Sequence, residues 1–288
     1  MGKKRFFDDR LKYLSFIQNT SEKRAISEQL APHIASMEQN RTFLRVLDAG
    51  TGDGTVKSNV IKTFHKYHPY TSLLITGKEI SYEDLKNTLE KMPDRFVEHP
   101  NLLVTMTNVK FAELGHIESS NKIKGKNVKS YTLVLKDDNS FDFHAQINKL
   151  NSFIKKNWGI EIDNKSRTSY ANPCIIRIYR EDHKRYIEPF VDNDYKNNNY
   201  DLIIASQAYR AASKIQTKVN NVIAPLMQIL NKSGKLLVTH SCGGDTVEKV
   251  LKVAWKDKNP FPNKAKDIIE FLKNYPVCEN NKYVFSKP

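Results

Sequence analysis

Within the seven residues Asp48-Ala49-Gly50-Thr51-Gly52-Asp53-Gly54 the chain carries three glycines and two carboxylates, straight after the mostly apolar run FLRVL. Alternate glycines strip the backbone of side chains, so its N–H groups can approach a ligand closely. A helix that follows such a turn faces the ligand with the partial positive charge of its N-terminus. Two phosphate-binding patterns fail on spacing. A triphosphate loop needs GxxxxGK[ST], whereas Lys57-Ser58 begins three residues past Gly54; a dinucleotide turn needs GxGxxG, whereas Gly50, Gly52 and Gly54 alternate.

Other chemistry-bearing residues fall where a sheet would gather them. Glu79 ends SLLITGKE, where a carboxylate can accept both hydroxyls of a ribose. Thr107 and Asn108 end NLLVTMTN and offer a hydroxyl and an amide to a base. Ser206, Gln207 and Tyr209 follow YDLIIA, and His240 follows GKLLVT, so they wall the same cleft if both runs are strands; His240 is also a candidate base. Glu22 stands at a helix start, where a glutamate also serves as a cap. Asn172-Pro173-Cys174 contains the Asn-Pro and Pro-Cys pairs of DNA-methylating enzymes, but those belong at the end of a fourth strand, which 206–209 occupies.

The elements that must position these residues are legible from periodicity. Residues 9–38 carry apolar positions at helical spacing in two pieces, with Thr20 or Ser21 as the cap between them. FLRVLD, SLLITGKEI and NLLVTMTNV read as strands, separated by the helical patterns TVKSNVIKTFHKYH and SYEDLKNTLEKMPDRFVE. Such alternation predicts a parallel sheet. Between 110 and 199 it stops: a strand (SYTLVLKDD), a helix (FHAQINKLNSFIKKNW) and two strand-like runs within CIIRIYREDHKRYIEPF suggest an inserted α+β subdomain, closed by the polar linker DNDYKNNN. From YDLIIASQAY the alternation resumes, through NNVIAPLMQILNK, GKLLVTHS and two further helical patterns to a last strand, NKYVFS. The prediction is an α/β, Rossmann-like doubly wound, mostly parallel sheet with an N-terminal helical segment and that insertion. Its domains are 1–40 as a helical substrate cap, 41–109 with 200–288 as the core, and 110–199 as a lid or recognition subdomain.

Asp48–Gly54 resembles the D/E-x-G-x-G-x-G loop of class I S-adenosylmethionine-dependent methyltransferases. By that resemblance the loop passes under the methionine part of S-adenosylmethionine, Asp48 helps hold its amino group, and Gly50, Thr51, Gly52, Gly54, Glu79, Ile80, Thr107, Asn108 and Ser206 line the cofactor site. YDLIIASQAYRA and LNKSGKLLVTHS resemble the fourth and fifth strands of the same superfamily. A narrower resemblance is to histamine N-methyltransferase and its relatives: SFIQNTSEK matches a junction whose glutamate, here Glu22, contacts substrate, and Gln207 matches a substrate-side glutamine. Glu79 with Ser81, and Phe261-Pro262, agree with the same family. The function this implies is methyl transfer to a nitrogen of a small-molecule amine, with Glu22, Gln207 and His240 catalytic and Glu22, Gln207 and Tyr209 on the substrate. The alternative is a methyltransferase acting on RNA or a protein side chain through the insertion.

Composition sets outer limits. An apolar fraction of 39%, with 14 Phe and 13 Tyr, is enough for a core. The three cysteines are far apart and form no CxxC, so neither a disulfide framework nor a metal site is expected. No run is long enough to span a bilayer and the start lacks a secretory apolar stretch, so a soluble, cytoplasmic protein is predicted. The net charge of +14 fits a lysine-rich solvated surface, and also a nucleic-acid partner or an anionic substrate.

Overall fold

The structure is a computed structural model describing residues 22–38, 40–117, 122–162, 168–191, 199–206, 208–241, 243, 249, 253, 261–279 and 283–286. In chain order the first half runs α1 (Glu22–Ala35), β1 (Phe43–Asp48), α2 (Thr55–Tyr67), β2 (Ser72–Lys78), α3 (Tyr82–Glu90), α4 (Pro93–Glu98) and β3 (Leu102–Thr107). A 3-10 turn (Phe111–His116) leads to β4 (Lys122–Ile123), β5 (Lys126–Asn127), β6 (Lys129–Leu135), α5 (Ser140–Asn148), α6 (Leu150–Asn157), β7 (Ile160–Ile162), β8 (Thr168–Tyr170) and β9 (Cys174–Arg180). Then come α7 (Lys184–Ile187), β10 (Tyr200–Ala205), α8 (Ile215–Lys218), a π-helical turn, α9 (Ala224–Gln228), β11 (Leu230–Val238), α10 (Ala265–Lys273) and α11 (Pro276–Glu279).

The centre is a seven-stranded mixed sheet of order β11-β10-β1-β2-β3-β9-β6. Every adjacent pair is parallel except β3 with β9. A parallel strand with helices on both sides must be apolar on both faces, as SLLITG in β2 is. Successive residues then serve opposite layers. Val46, Ile75, Val104 and Ile204 pack with Val56, Val60, Ile61 and Phe64 of α2, whereas Leu47, Ile203 and Ala205 pack with Leu114, Val222 and Leu226. The architecture is therefore α/β and mostly parallel, and it is compatible with a Rossmann-like fold.

Three expectations are corrected. The 110–199 segment is not set apart from the core: β9 and β6 extend the central sheet beyond β3, and Phe143 of α5 meets Phe96 of α4 edge-on, with centroids 6.4 Å apart. The reason is that all seven residues of CIIRIYR are buried, which only an interior strand allows. The second strand-like run, KRYIEPF, is helical; Lys184 pairs with Glu188 at 3.0 Å one turn on, and Ile187 is buried beneath. Residues 283–286 of the expected last strand join no sheet; Tyr283 instead donates to the Met227 carbonyl at 3.2 Å, and Tyr283 and Phe285 pack against the helices.

The pattern SYEDLKNTLEKMPDRFVE divides into α3 and α4 because Pro93 has no N–H to continue the first helix and instead opens the second. The first of the two N-terminal helical pieces, the cap expected between the two, the linker 192–198 and most of 242–260 lie outside the described residues. Among the described residues no helix is long and apolar enough to cross a membrane.

Histidines lock the amino-terminal edge of the sheet. His68 Nε2 donates to the Ile34 carbonyl at 2.8 Å, tying α1 to α2. His99 Nε2 faces the Thr71 carbonyl at 3.0 Å and so carries a proton, which leaves Nδ1 to accept from His65 Nδ1 at 3.2 Å. Burial, then the neighbouring His65, pulls His99 down to about 4. The unfolded chain binds this proton near the ordinary value of 6.5 and the folded chain does not, so stability falls as pH drops from about 6.5 towards 4, by up to about 3 kcal/mol. We expect urea midpoints to show this loss in the native chain and a shallower fall in His99→Gln; equal slopes would remove His99 as the cause.

Candidate functional site

In an open α/β sheet the ligand crevice lies beyond the carboxyl ends of the strands, where the strand order reverses. Here β1 is that point, flanked by β2 and β10. The glycine turn is stitched to both neighbours: Ala49 N–H donates to Ile204 O at 2.8 Å, and Thr51 N–H to Lys78 O at 3.1 Å. Gly54 has φ 77°, and a Cβ there would lie 2.7 Å from Thr88, whose hydroxyl binds the Gly52 carbonyl at 3.0 Å. At Gly52 a Cβ would meet nothing within 4 Å, so this is the bare face of the turn.

Beneath the turn lies a buried pair of charges. Asp48 is 1% exposed, and neither carboxylate oxygen has a well-formed hydrogen bond, although the Thr51 hydroxyl and Gly50 amide lie near. Lys57, from the first turn of α2, is fully buried, and its Nζ is 3.1 Å from the Met106 sulfur. Burial pushes Asp48 up to about 6 against the pull of the Lys57 charge, and pushes Lys57 down to about 8 against Asp48. Gly77 makes room for this: a Cβ would stand 2.5 Å from Lys57 Nζ and 2.7 Å from both Met106 Sδ and Thr51 Oγ1. Lys57 thus points under the sheet top and away from any phosphate. It stands in phase with the apolar positions Val60, Ile61 and Phe64, a signal the sequence does carry.

Glu79 is at the carboxyl end of β2, as expected, but it is already engaged. Its Oε2 accepts from Gly52 N–H at 2.8 Å, and its Oε1 from the Ile80 and Ser81 amides at 2.8 and 2.7 Å. A carboxylate has about four lone-pair sites, so only one remains, on Oε2. Thr107 and Asn108 are spent on the fold. The Thr107 hydroxyl donates to Cys174 O at 2.9 Å; Asn108 donates to Asn172 O at 2.9 Å and accepts from Cys174 N at 2.8 Å. Together they clamp 172–174 to β3. The Cys174 thiol, pushed up to about 11 by burial, stays protonated and is no nucleophile.

The amino-terminal helix meets the turn. Lys23 Nζ pairs with Asp53 Oδ1 at 2.5 Å, Lys91 donates to Asp53 O at 2.7 Å, and the Asp53 carboxylate accepts from the Thr55 amide and hydroxyl at 3.1 and 2.9 Å. Asp53 therefore ties the first residue of α2 to α1, bringing Glu22, the first described residue of α1, to the same end of the molecule. Sequence reasoning missed Lys23, Lys91 and Lys57 as members of the site. It also missed Lys78, which lies beside Glu79 with Nζ 5.0 Å over the Phe111 ring.

On the other side of β1, a Cβ on Gly50 would lie 3.2 Å from Ser206 O and 3.6 Å from Ala208 Cα, so the loop after β10 rests on the glycine turn. Gln207 lies outside the described residues. Tyr209 and His240 come together, with ring centroids 5.9 Å apart. Lys218 is fully buried beside them, 5.3 Å over the Tyr209 ring, with Nζ bonded to Ala211 O at 2.7 Å and Asn263 Oδ1 at 2.9 Å. His240 Nε2 is 2.8 Å from Asn263 O. Phe261 and Pro262 precede that asparagine. The structure thus gathers Asp48, Gly50, Thr51, Gly52, Gly54, Glu79, Ile80 and Ser206 around the turn, and Tyr209 with His240 next to it.

Removing one member of a buried charge pair strands the other, whereas removing both does not. We expect Asp48→Asn and Lys57→Met each to lower stability by about 3 kcal/mol, and the double variant to lose clearly less than their sum. Additive losses in chemical denaturation would show that the two charges do not support each other. No protein-family model and no curated protein matches the chain.

Proposed function

We propose that the protein is an S-adenosylmethionine-dependent methyltransferase that methylates a nitrogen of a small-molecule amine. The observation that carries this reading is Asp48: a carboxylate 1% exposed, without a well-formed hydrogen bond, beneath a turn whose Gly52 is bare to the outside. That combination fits an ammonium-bearing ligand laid along the turn. S-adenosylmethionine, when bound, supplies an electrophilic methyl group on a sulfonium; the chain's task is then to hold two partners in line, which needs position more than a strong base.

Each residue has a corresponding duty. Asp48 offers the charge that an α-ammonium complements, and the backbone at Gly50–Gly52 admits the ligand's stem. Glu79 Oε2 keeps one lone pair for a ribose hydroxyl while its other bonds hold Gly52 and the start of α3 in place. Glu22 and Gln207 are assigned to the acceptor on the family resemblance. The alternative is an RNA or protein substrate gripped by 110–199, where four of the basic residues are taken up in internal pairs. Lys124 binds Glu113 and Lys126 binds Glu161, both at 3.0 Å; Lys184 binds Glu188 and Arg180 binds Asp182. Phosphate contacts need such cations free.

Calorimetry with S-adenosylhomocysteine, the demethylated product, tests the reading. We expect one site per chain, weakened about tenfold or more, about 1.4 kcal/mol, by Glu79→Ala. Failure of the native chain to bind would overturn the cofactor assignment, and unchanged affinity in the variant would remove Glu79 from it.

A further inference from the structure

Two polar atoms in the Tyr209–His240 cluster are buried without a hydrogen-bond partner: the Tyr209 hydroxyl and His240 Nδ1. Their protonation follows from the neighbours. His240 Nε2 faces the Asn263 carbonyl at 2.8 Å; a carbonyl only accepts, so Nε2 carries the hydrogen and, in the neutral ring, Nδ1 presents a lone pair. Burial pushes the Tyr209 phenol up to about 12, so it remains an O–H donor. The structure thus sets one donor and one acceptor side by side, with rings 5.9 Å apart, against the loop that rests on the glycine turn. Leaving two such groups unpaired in the interior costs about 1–3 kcal/mol each, a cost expected where a ligand supplies the missing partners.

The charge beside them narrows that ligand. The Lys218 ammonium is 5.3 Å from the Tyr209 ring centre and fully buried, so its field is poorly screened and repels a second cation. We propose that Tyr209 Oη and His240 Nδ1 bind the acceptor molecule, and that they take an uncharged hydroxyl on a planar ring in place of an alkylammonium. The hydroxyl oxygen takes a hydrogen bond from Tyr209, and the same hydroxyl donates its hydrogen to His240 Nδ1. That the bound molecule is the methyl acceptor rests on the methyltransferase reading; the binding site does not.

The test uses the full chain labelled with 15N-histidine, in which His240→Gln identifies one ring among the eight histidines. The probes are p-cresol, an uncharged O–H donor, and benzylammonium, a cation of similar size. We expect the His240 ring in the Nε2–H form, its Nδ1 resonance to shift with p-cresol and not with equal benzylammonium, and Tyr209→Phe to weaken the p-cresol response at least fivefold. An Nδ1–H ring, no p-cresol response, equal responses to both probes, or an unaltered response in Tyr209→Phe would overturn the proposal. S-adenosylhomocysteine calorimetry on the same samples separates the two readings: nucleotide binding without a p-cresol response sinks only this site, and the converse sinks only the cofactor.

Discussion

A carboxylate shut away from water beneath a loop of bare backbone is the constraint around which this chain is arranged. Burial raises the free energy of the ionised form, and the largest offset is the equally buried Lys57, whose Nζ rests on a thioether. Several otherwise unrelated features serve that arrangement. Gly77 lacks a side chain because Lys57, Met106 and Thr51 fill the space where one would stand. α2 starts at Thr55, two residues ahead of Lys57, and the Asp53 carboxylate binds the amide and hydroxyl of that first residue.

The glycine turn is held by four elements: β10 and β2 through backbone bonds, α3 through Thr88, and α1 through Lys23. A loop so firmly tethered loses little freedom when a ligand settles on it. The tethering also explains why Glu79 has a dual character. The same carboxylate that could face a sugar is part of the scaffold that shapes the turn.

Much of this was legible in the sequence because it is local. The strand-turn-helix unit around Asp48, the placement of Glu79 at a strand end, and the return of the alternation at Tyr200 follow from periodicities of two and 3.6 residues. What was not legible depends on partners far along the chain. Asn108 reads as a ligand residue at a strand end; its actual partners are Asn172 and Cys174, more than sixty positions away, and nothing near Asn108 announces them. CIIRIYR declares itself a doubly buried strand, yet not which neighbour it will choose. Lys57 lay between these cases, since its phase with Val60 and Phe64 marks it as inward-facing while its charge argues for solvent.

The clamp made by Thr107 and Asn108 bears on how the molecule can be shortened. The stretch from 110 to 199 has the outward look of a detachable cassette, but two of its strands are ribs of the central sheet, and Thr107 and Asn108 spend their side chains on the start of β9. Cutting it out would strand a hydroxyl and an amide in an apolar wall and leave the flank of β3 open to any passing strand. A minimal version of this protein must keep β9, and with it the length of chain needed to bring that strand back alongside β3 in the opposite direction.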